Sequence, residues 1–193
     1  MKTDDILDCY LGKKHLEKLK EFDKPTIHLE ILNGLIGHFF FQSKHTIPQD
    51  LYKDLLKGFD LIFEFCEQSD LDFVDSNGLL CSFVGETVAM HSIENLVSKI
   101  KKVIGPNLSF SLGLHKGDYL IGDFGPQKRL KKILSGDQVN LSYNLARGGL
   151  SKKWDIVITD STFSGNDVDG FNSVSDSAIV GFPNLKILYK NLA

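Results

Sequence analysis

The sequence predicts an α+β fold, one mainly antiparallel sheet with helices packed on it, around a ferredoxin-like, split βαβ core. Two observations carry this. Strand-like runs and amphipathic helices alternate along the chain, and hairpin signals recur between the helices. Residues 11–22 (LGKKHLEKLKEF) place Leu16 and Leu19 on one face and predict a lead-in helix within 1–24. Pro25 ends it, and TIHLEIL (26–32) reads as the first strand of a domain spanning 25–193. Pro48 suits a first helical turn. Leu51, Leu55, Phe59, Ile62, Phe63 and Cys66 then follow at helical spacing.

LDFVDSNGLLCSFVG (71–85) is a hairpin pattern turning at Ser-Asn-Gly. Ile93, Leu96, Val97, Ile100 and Val103 stripe a second helix that Gly105-Pro106 closes. LSFSLGLH (108–115) and YLIGDFG (119–125) predict two strands, with Lys116-Gly117-Asp118 turning between them. SGDQVNLSYNLARGG (135–149) supplies a third helix. WDIVIT and NLKILYKN are strands, and the polar stretch Gly165 to Ser177 is expected to be a loop.

Composition narrows the function. The chain has 193 residues, 42% hydrophobic and 24% charged, enough for one domain with a sizeable core. A net charge of −3 argues against a general nucleic-acid or membrane-surface binder. Cys9, Cys66 and Cys81 lack paired spacing, so they read as small buried hydrophobes in a reducing compartment. The start, MKTDDILDCY, has early acids and no apolar core of a signal peptide, and no run reaches membrane-spanning length. A cytoplasmic protein is expected.

One stretch carries chemistry. In GLHKGDYLIGDFGPQKRLKKILSGDQVNLSYNLA (113–146), Gly113, His115, Gly117, Gly122, Gly125, Arg129, Gly136, Asp137, Val139, Asn140 and Leu141 fall in one register. This register resembles the core signature of class III adenylate and guanylate cyclases. The resemblance extends outward to TIHLEILNG, FVDSNGLLCSF, VITDSTF and GFPNLKILYKNL, covering about residues 25–192.

The resemblance implies a two-metal reaction at a site shared by two chains, with carboxylates holding the ions. It places the first metal carboxylate on Glu30, read either as a modified ligand or as an ordinary strand carboxylate. The second falls on Asn77, a neutral amide, with Asp75 the alternative if the hairpin register slips. The purine-selecting pair falls on Phe73 and Ile133, which cannot hydrogen-bond a base edge. The ribose-positioning amide is retained as Asn140. The transition-state arginine falls on Asn144, with Arg147 in the next turn as a substitute or a solvated side chain.

Three weaker features accompany these. KRLKK (128–132) is a basic cluster facing phosphate or solvent, His115 is expected to be structural, and His28 with Glu30 forms a conceivable metal pair.

Scaffold positions thus survive while chemical positions are replaced. The leading expectation is a degenerate cyclase-homology domain acting as a dimerising or regulatory module. It would have little or no cyclase activity, with a purine nucleotide as the candidate ligand of its altered cleft. The alternative is an active, atypical cyclase converting ATP or GTP with Mg2+ or Mn2+. A homodimer is expected, or a heterodimer with another cyclase-like chain, with neither nucleic acid nor membrane as partner.

Overall fold

The computed structural model describes residues 29–43, 49–124, 131–163, 165–174 and 185–192. The expected lead-in helix, Cys9 and His28 lie outside them. β1 (Leu29–Ser43) leads to α1 (Gln49–Gln68), then β2 (Asp72–Asn77), β3 (Leu80–Gly85) and α2 (Met90–Val103). β4 (Leu108–Phe124) and β5 (Lys131–Ser135) precede α3 (Asp137–Lys152) and β6 (Ile156–Thr159). A 3-10 turn at Gly165–Val168, β7 (Asn172–Val174) and β8 (Ile187–Lys190) follow.

The strands form one sheet in the order β2-β3-β1-β4-β6-β8-β7, with β5 pairing β4 from outside that path. Only the β4–β6 pair is parallel among the described pairings. The α+β class with a mainly antiparallel sheet therefore holds.

Strand alternation divides the sheet's two faces. Leu35, Phe39 and Phe41 of β1 join Leu108, Phe110, Leu112 and Leu114 of β4 beneath α1 and α2. Ile62 and Cys66 of α1 and Ile93, Val97 and Ile100 of α2 complete this main core. α3 covers the opposite face. A smaller core of Ile36, Val74, Val84, Tyr119, Ile121 and Val139 continues on that side. Cys66 and Cys81 are buried free thiols, and burial pushes both well above the ordinary thiol range.

Three expectations are corrected. β1 begins near the predicted strand but runs on to Ser43, because its second half lies between β3 and β4 at the sheet centre. Lys116-Gly117-Asp118 is not a turn. β4 passes straight through it, pairing Leu35 with Lys116, Gly34 with Gly117 and Asn33 with Asp118. An Asn33 Nδ2–H donates to Asp118 Oδ1 at 2.7 Å, so two turn-prone residues hold each other in the ladder. The stretch read as a loop from Gly165 contains the 3-10 turn and β7, which pairs with β8.

Candidate functional site

α3 carries both asparagines, and its seat on the sheet follows from one glycine. A methyl group on Gly113 would collide with the backbone nitrogen of Ala146 and the carbonyl of Ser142. Without it, the helix lies directly on β4. The Ser142 hydroxyl donates to the carbonyls of Ile36 and Gly113, both at 3.0 Å. His38 Nδ1 lies 3.0 Å from the same oxygen and is 4% exposed. With the hydroxyl proton committed to carbonyls, His38 donates through Nδ1–H. Burial lowers its pKa to about 4, so the ring is neutral.

His115, also buried, bonds Thr159 Oγ1 at 2.8 Å, and burial lowers its pKa. Gly113 of the signature stretch thus seats the helix on the sheet, and its His115 ties β4 to the end of β6.

Asn140 is exposed on α3, and Asn144 follows one turn later, half-buried. The Asn144 amide donates to the Asn140 carbonyl at 2.9 Å, back onto its own helix. Between them Tyr143 meets His38 and Phe40 edge-on, with ring centroids 6.1 and 5.7 Å apart.

The sequence-assigned metal positions are not brought together. Asn77 ends β2 opposite Leu80, across a two-residue turn of Gly78 (φ +61°) and Leu79. The β1 residues beside that turn are Phe40, which pairs with Leu80, and Phe41, whose N–H donates to Leu79 O at 2.8 Å. Glu30 pairs with Ile121 near the other end of β1. At the ordinary strand rise, the run from Glu30 to Phe40 covers roughly 30 Å. Oxygens of one ion lie within about 5 Å of each other. Glu30 therefore cannot bind an ion together with the hairpin tip of its own chain.

The expected placement matched the start of β1, whereas the tip-side half of that strand is aromatic. Asp75 pairs with Ser82, and its carboxylate meets Lys131 at 3.3 Å. A hard divalent cation needs anionic oxygen ligands. Phe40, Phe41 and Leu79 at the hairpin tip offer no such ligand to Mg2+ or Mn2+. Among the described residues, no three His, Cys, Asp or Glu side chains converge to hold a metal.

Phe73 pairs with Phe83, and its ring lies edge-on to Phe63 with centroids 5.6 Å apart. It is packed against the main core, so its face is spent on folding. Ile133 is half-buried on β5 opposite Gly122. In the basic cluster, Lys131 and Lys132 turn to β2, with Lys132 Nζ 3.9 Å from Asp72 and its side chain buried. They tie β5 to β2, Lys131 from an exposed position and Lys132 from a buried one; residues 128–130 lie outside the described set.

Comparison with known structures bears on this arrangement. A bacterial light-regulated adenylyl cyclase superposes with TM-score 0.77 at 12% identity, covering 97% of this chain and 59% of that one. The chain thus spans under two thirds of that protein. The adenylyl cyclase CyaB from P. aeruginosa matches with TM-score 0.63 at 16% identity, over 85% of this chain and 97% of that one. The catalytic core of a rhodopsin-guanylyl cyclase with converted specificity, in complex with ATPalphaS, matches with TM-score 0.61 at 18% identity, over 83% of this chain and 96% of that one. The fold is that of class III adenylyl and guanylyl cyclase domains. No family model matches the chain, and no curated protein does.

Within this cyclase-like fold, sequence reasoning missed Phe40 and Tyr143, which occupy the space between the hairpin tip and α3. The aromatic run FFF (39–41) was the available signal. It also missed a cavity of about 490 Å³ whose walls include Glu30, Asp72, Glu86 and Tyr119. These residues come from separate stretches of chain, and no local pattern joins them.

Proposed function

We propose that this cyclase-like domain is a dimerising or regulatory module with little or no cyclase activity. The observation that carries the reading is the hairpin tip. Asn77 ends β2 opposite Leu80, and β1 meets that hairpin tip with Phe40 and Phe41, where a two-ion site would need a carboxylate. The helix position expected to hold a cationic arginine is Asn144, whose amide is bound to the Asn140 carbonyl. An amide there offers no charge to a developing phosphate anion. The exposed Asn140 remains available to a nucleotide sugar, so nucleotide binding without turnover belongs to the same reading.

Homodimerisation is part of the proposal and rests on the fold. Light scattering is expected to give twice the chain mass, and monomers alone at high concentration would remove that part. The activity test incubates purified protein with ATP or GTP and Mn2+ or Mg2+. No cyclic nucleotide above background is expected. Product that disappears in Asn140→Ala would establish the active, atypical cyclase instead.

A further inference from the structure

A cavity of about 640 Å³ opens at the end of the sheet where β4 begins, between the last turns of α2 and α3. That volume is in the range of small-molecule sites. Leu108 and Phe110 of β4, both buried, join Ile104 after α2 and Leu150 of α3 as its apolar walls. Asn140, Asn144 and the hairpin tip do not line it, so it has no part in the cyclase-like reading.

Its charge is one-sided. Lys101 and Lys153 line it against a single carboxylate, Asp155. Asp155 is already engaged: its Oδ2 accepts from Lys101 Nζ at 3.0 Å and from the Leu192 N–H at 2.7 Å. Asp54, beside Gly105, is paired with Lys57 at 3.0 Å. The carbonyl ends of both helices are engaged as well. The Ile104 N–H donates to Ile100 O, and the Lys153 and Trp154 N–H groups donate to Leu150 O and Gly149 O. This leaves Lys153 as an exposed cation whose side chain has no partner among the described residues, at the margin of an apolar cavity.

The backbone of Lys153 is the second, independent observation. It closes α3 in the left-handed region, at φ 61° and ψ 40°. Glycine takes this position without strain, whereas any side chain costs stability there. Nor does the helix end need this charge, because Lys152 already supplies a cation in the last turn. The strained position is held by a side chain that lines the cavity.

These features select the occupant. One unpaired cation matches a single negative charge. Walls of Ile104, Leu108 and Leu150 match an alkyl chain better than a polar ring. We propose that this cavity binds a single-chain amphiphilic anion, a fatty-acid carboxylate of medium length. The Lys153 ammonium donates to the carboxylate, and the alkyl chain lies along Ile104, Leu108, Phe110 and Leu150.

Calorimetric titration of the full chain with decanoate, below its micelle-forming concentration, tests this. Decyltrimethylammonium, the same chain with the opposite charge, is the comparison. Saturable binding of one decanoate per chain is expected. Affinity should rise about fivefold or more from hexanoate to octanoate and again to decanoate, as two methylenes leave water at each step. Lys153→Gly removes the strain and the charge together. Its Tm should therefore rise by about 2–4 °C while decanoate binding weakens about fivefold. Lys116→Gln, an exposed lysine on β4 outside the lining, should bind as the parent does. The proposal is overturned by absence of saturable binding at millimolar decanoate, by equal binding of decyltrimethylammonium, or by equal weakening in Lys116→Gln. It is also overturned if Lys153→Gly binds as tightly as the parent, or if that variant is less stable, since lost binding would then report lost structure.

Discussion

His38 is held neutral between a strand and a helix, and that makes it a pH-dependent part of the fold. Its pKa falls to about 4 on burial, against an ordinary 6.5. The unfolded chain takes up a proton as pH drops through 6.5, while the folded chain resists until about 4. The stability is therefore fully present above 6.5 and is lost as pH falls toward 4. Between pH 7 and pH 4.5 this one group should cost about 2 kcal/mol. His115 is shifted in the same direction. Urea unfolding at the two pH values is expected to show a smaller loss for His38→Gln than for the parent by about that amount. Carboxylate titrations are common to both proteins and cancel; equal losses would remove His38 from the account.

At this scale the sequence was partly legible. The four-residue spacing of Asn140 and Asn144 pointed correctly to one helical face. That Asn144 bonds its own helix, and that Ser142 and His38 fasten that helix to β1, depends on contacts across the fold that spacing does not encode.

At the scale of elements, glycine has two different duties, and one substitution separates them. Gly78 turns the β2–β3 hairpin at φ +61°, with open space where a methyl group would go. Gly78→Ala should cost about 1–2 kcal/mol, the strain of a left-handed residue alone. Gly113 touches the α3 backbone, so Gly113→Ala must lift the helix and disturb the Ser142 hydrogen bonds. Overpacking and lost hydrogen bonds together predict about 3 kcal/mol or more. Urea midpoints should rank the variants in that order, and the reverse order would mean α3 can shift without cost.

The helices were readable because each shows a clean apolar stripe. The central strand was read short because it is buried on both faces, and such strands lose the apolar–polar alternation that marks an edge. In β1, Phe39, Phe40 and Phe41 follow one another for that reason, while Asn33-Gly34 resembles a turn. Lys116-Gly117-Asp118 misled in the same way: local turn chemistry was outweighed by a ladder that β1 supplies from a distance.

For the whole molecule, the placement of charge decides how it should answer a divalent metal. Its acidic side chains are distributed, with Glu30 at one end of β1, Asp75 paired to Lys131, and Asp72 near Lys132. The end of the sheet where β1 meets the hairpin tip carries aromatic and aliphatic side chains. A site that binds only the folded chain stabilises it in proportion to the logarithm of its occupancy. At about 5 mM Mn2+, a two-carboxylate site with a Kd near 50 µM would add about 2.7 kcal/mol, while a site weaker than 5 mM adds under about 0.4 kcal/mol. For a chain of this size, the first corresponds to a rise in Tm of roughly 5–10 °C and the second to less than about 2 °C. The arrangement around Asn77 predicts the second outcome, for Mn2+ and Mg2+ alike, with and without ATP. A metal-dependent rise of several degrees that Asn77→Ala abolishes would place an ion at the hairpin tip after all. The same rise abolished by Glu30→Gln would place it at the far end of β1. Because the two positions are separated by most of that strand, a single pair of melting series distinguishes them and locates any ion the domain retains.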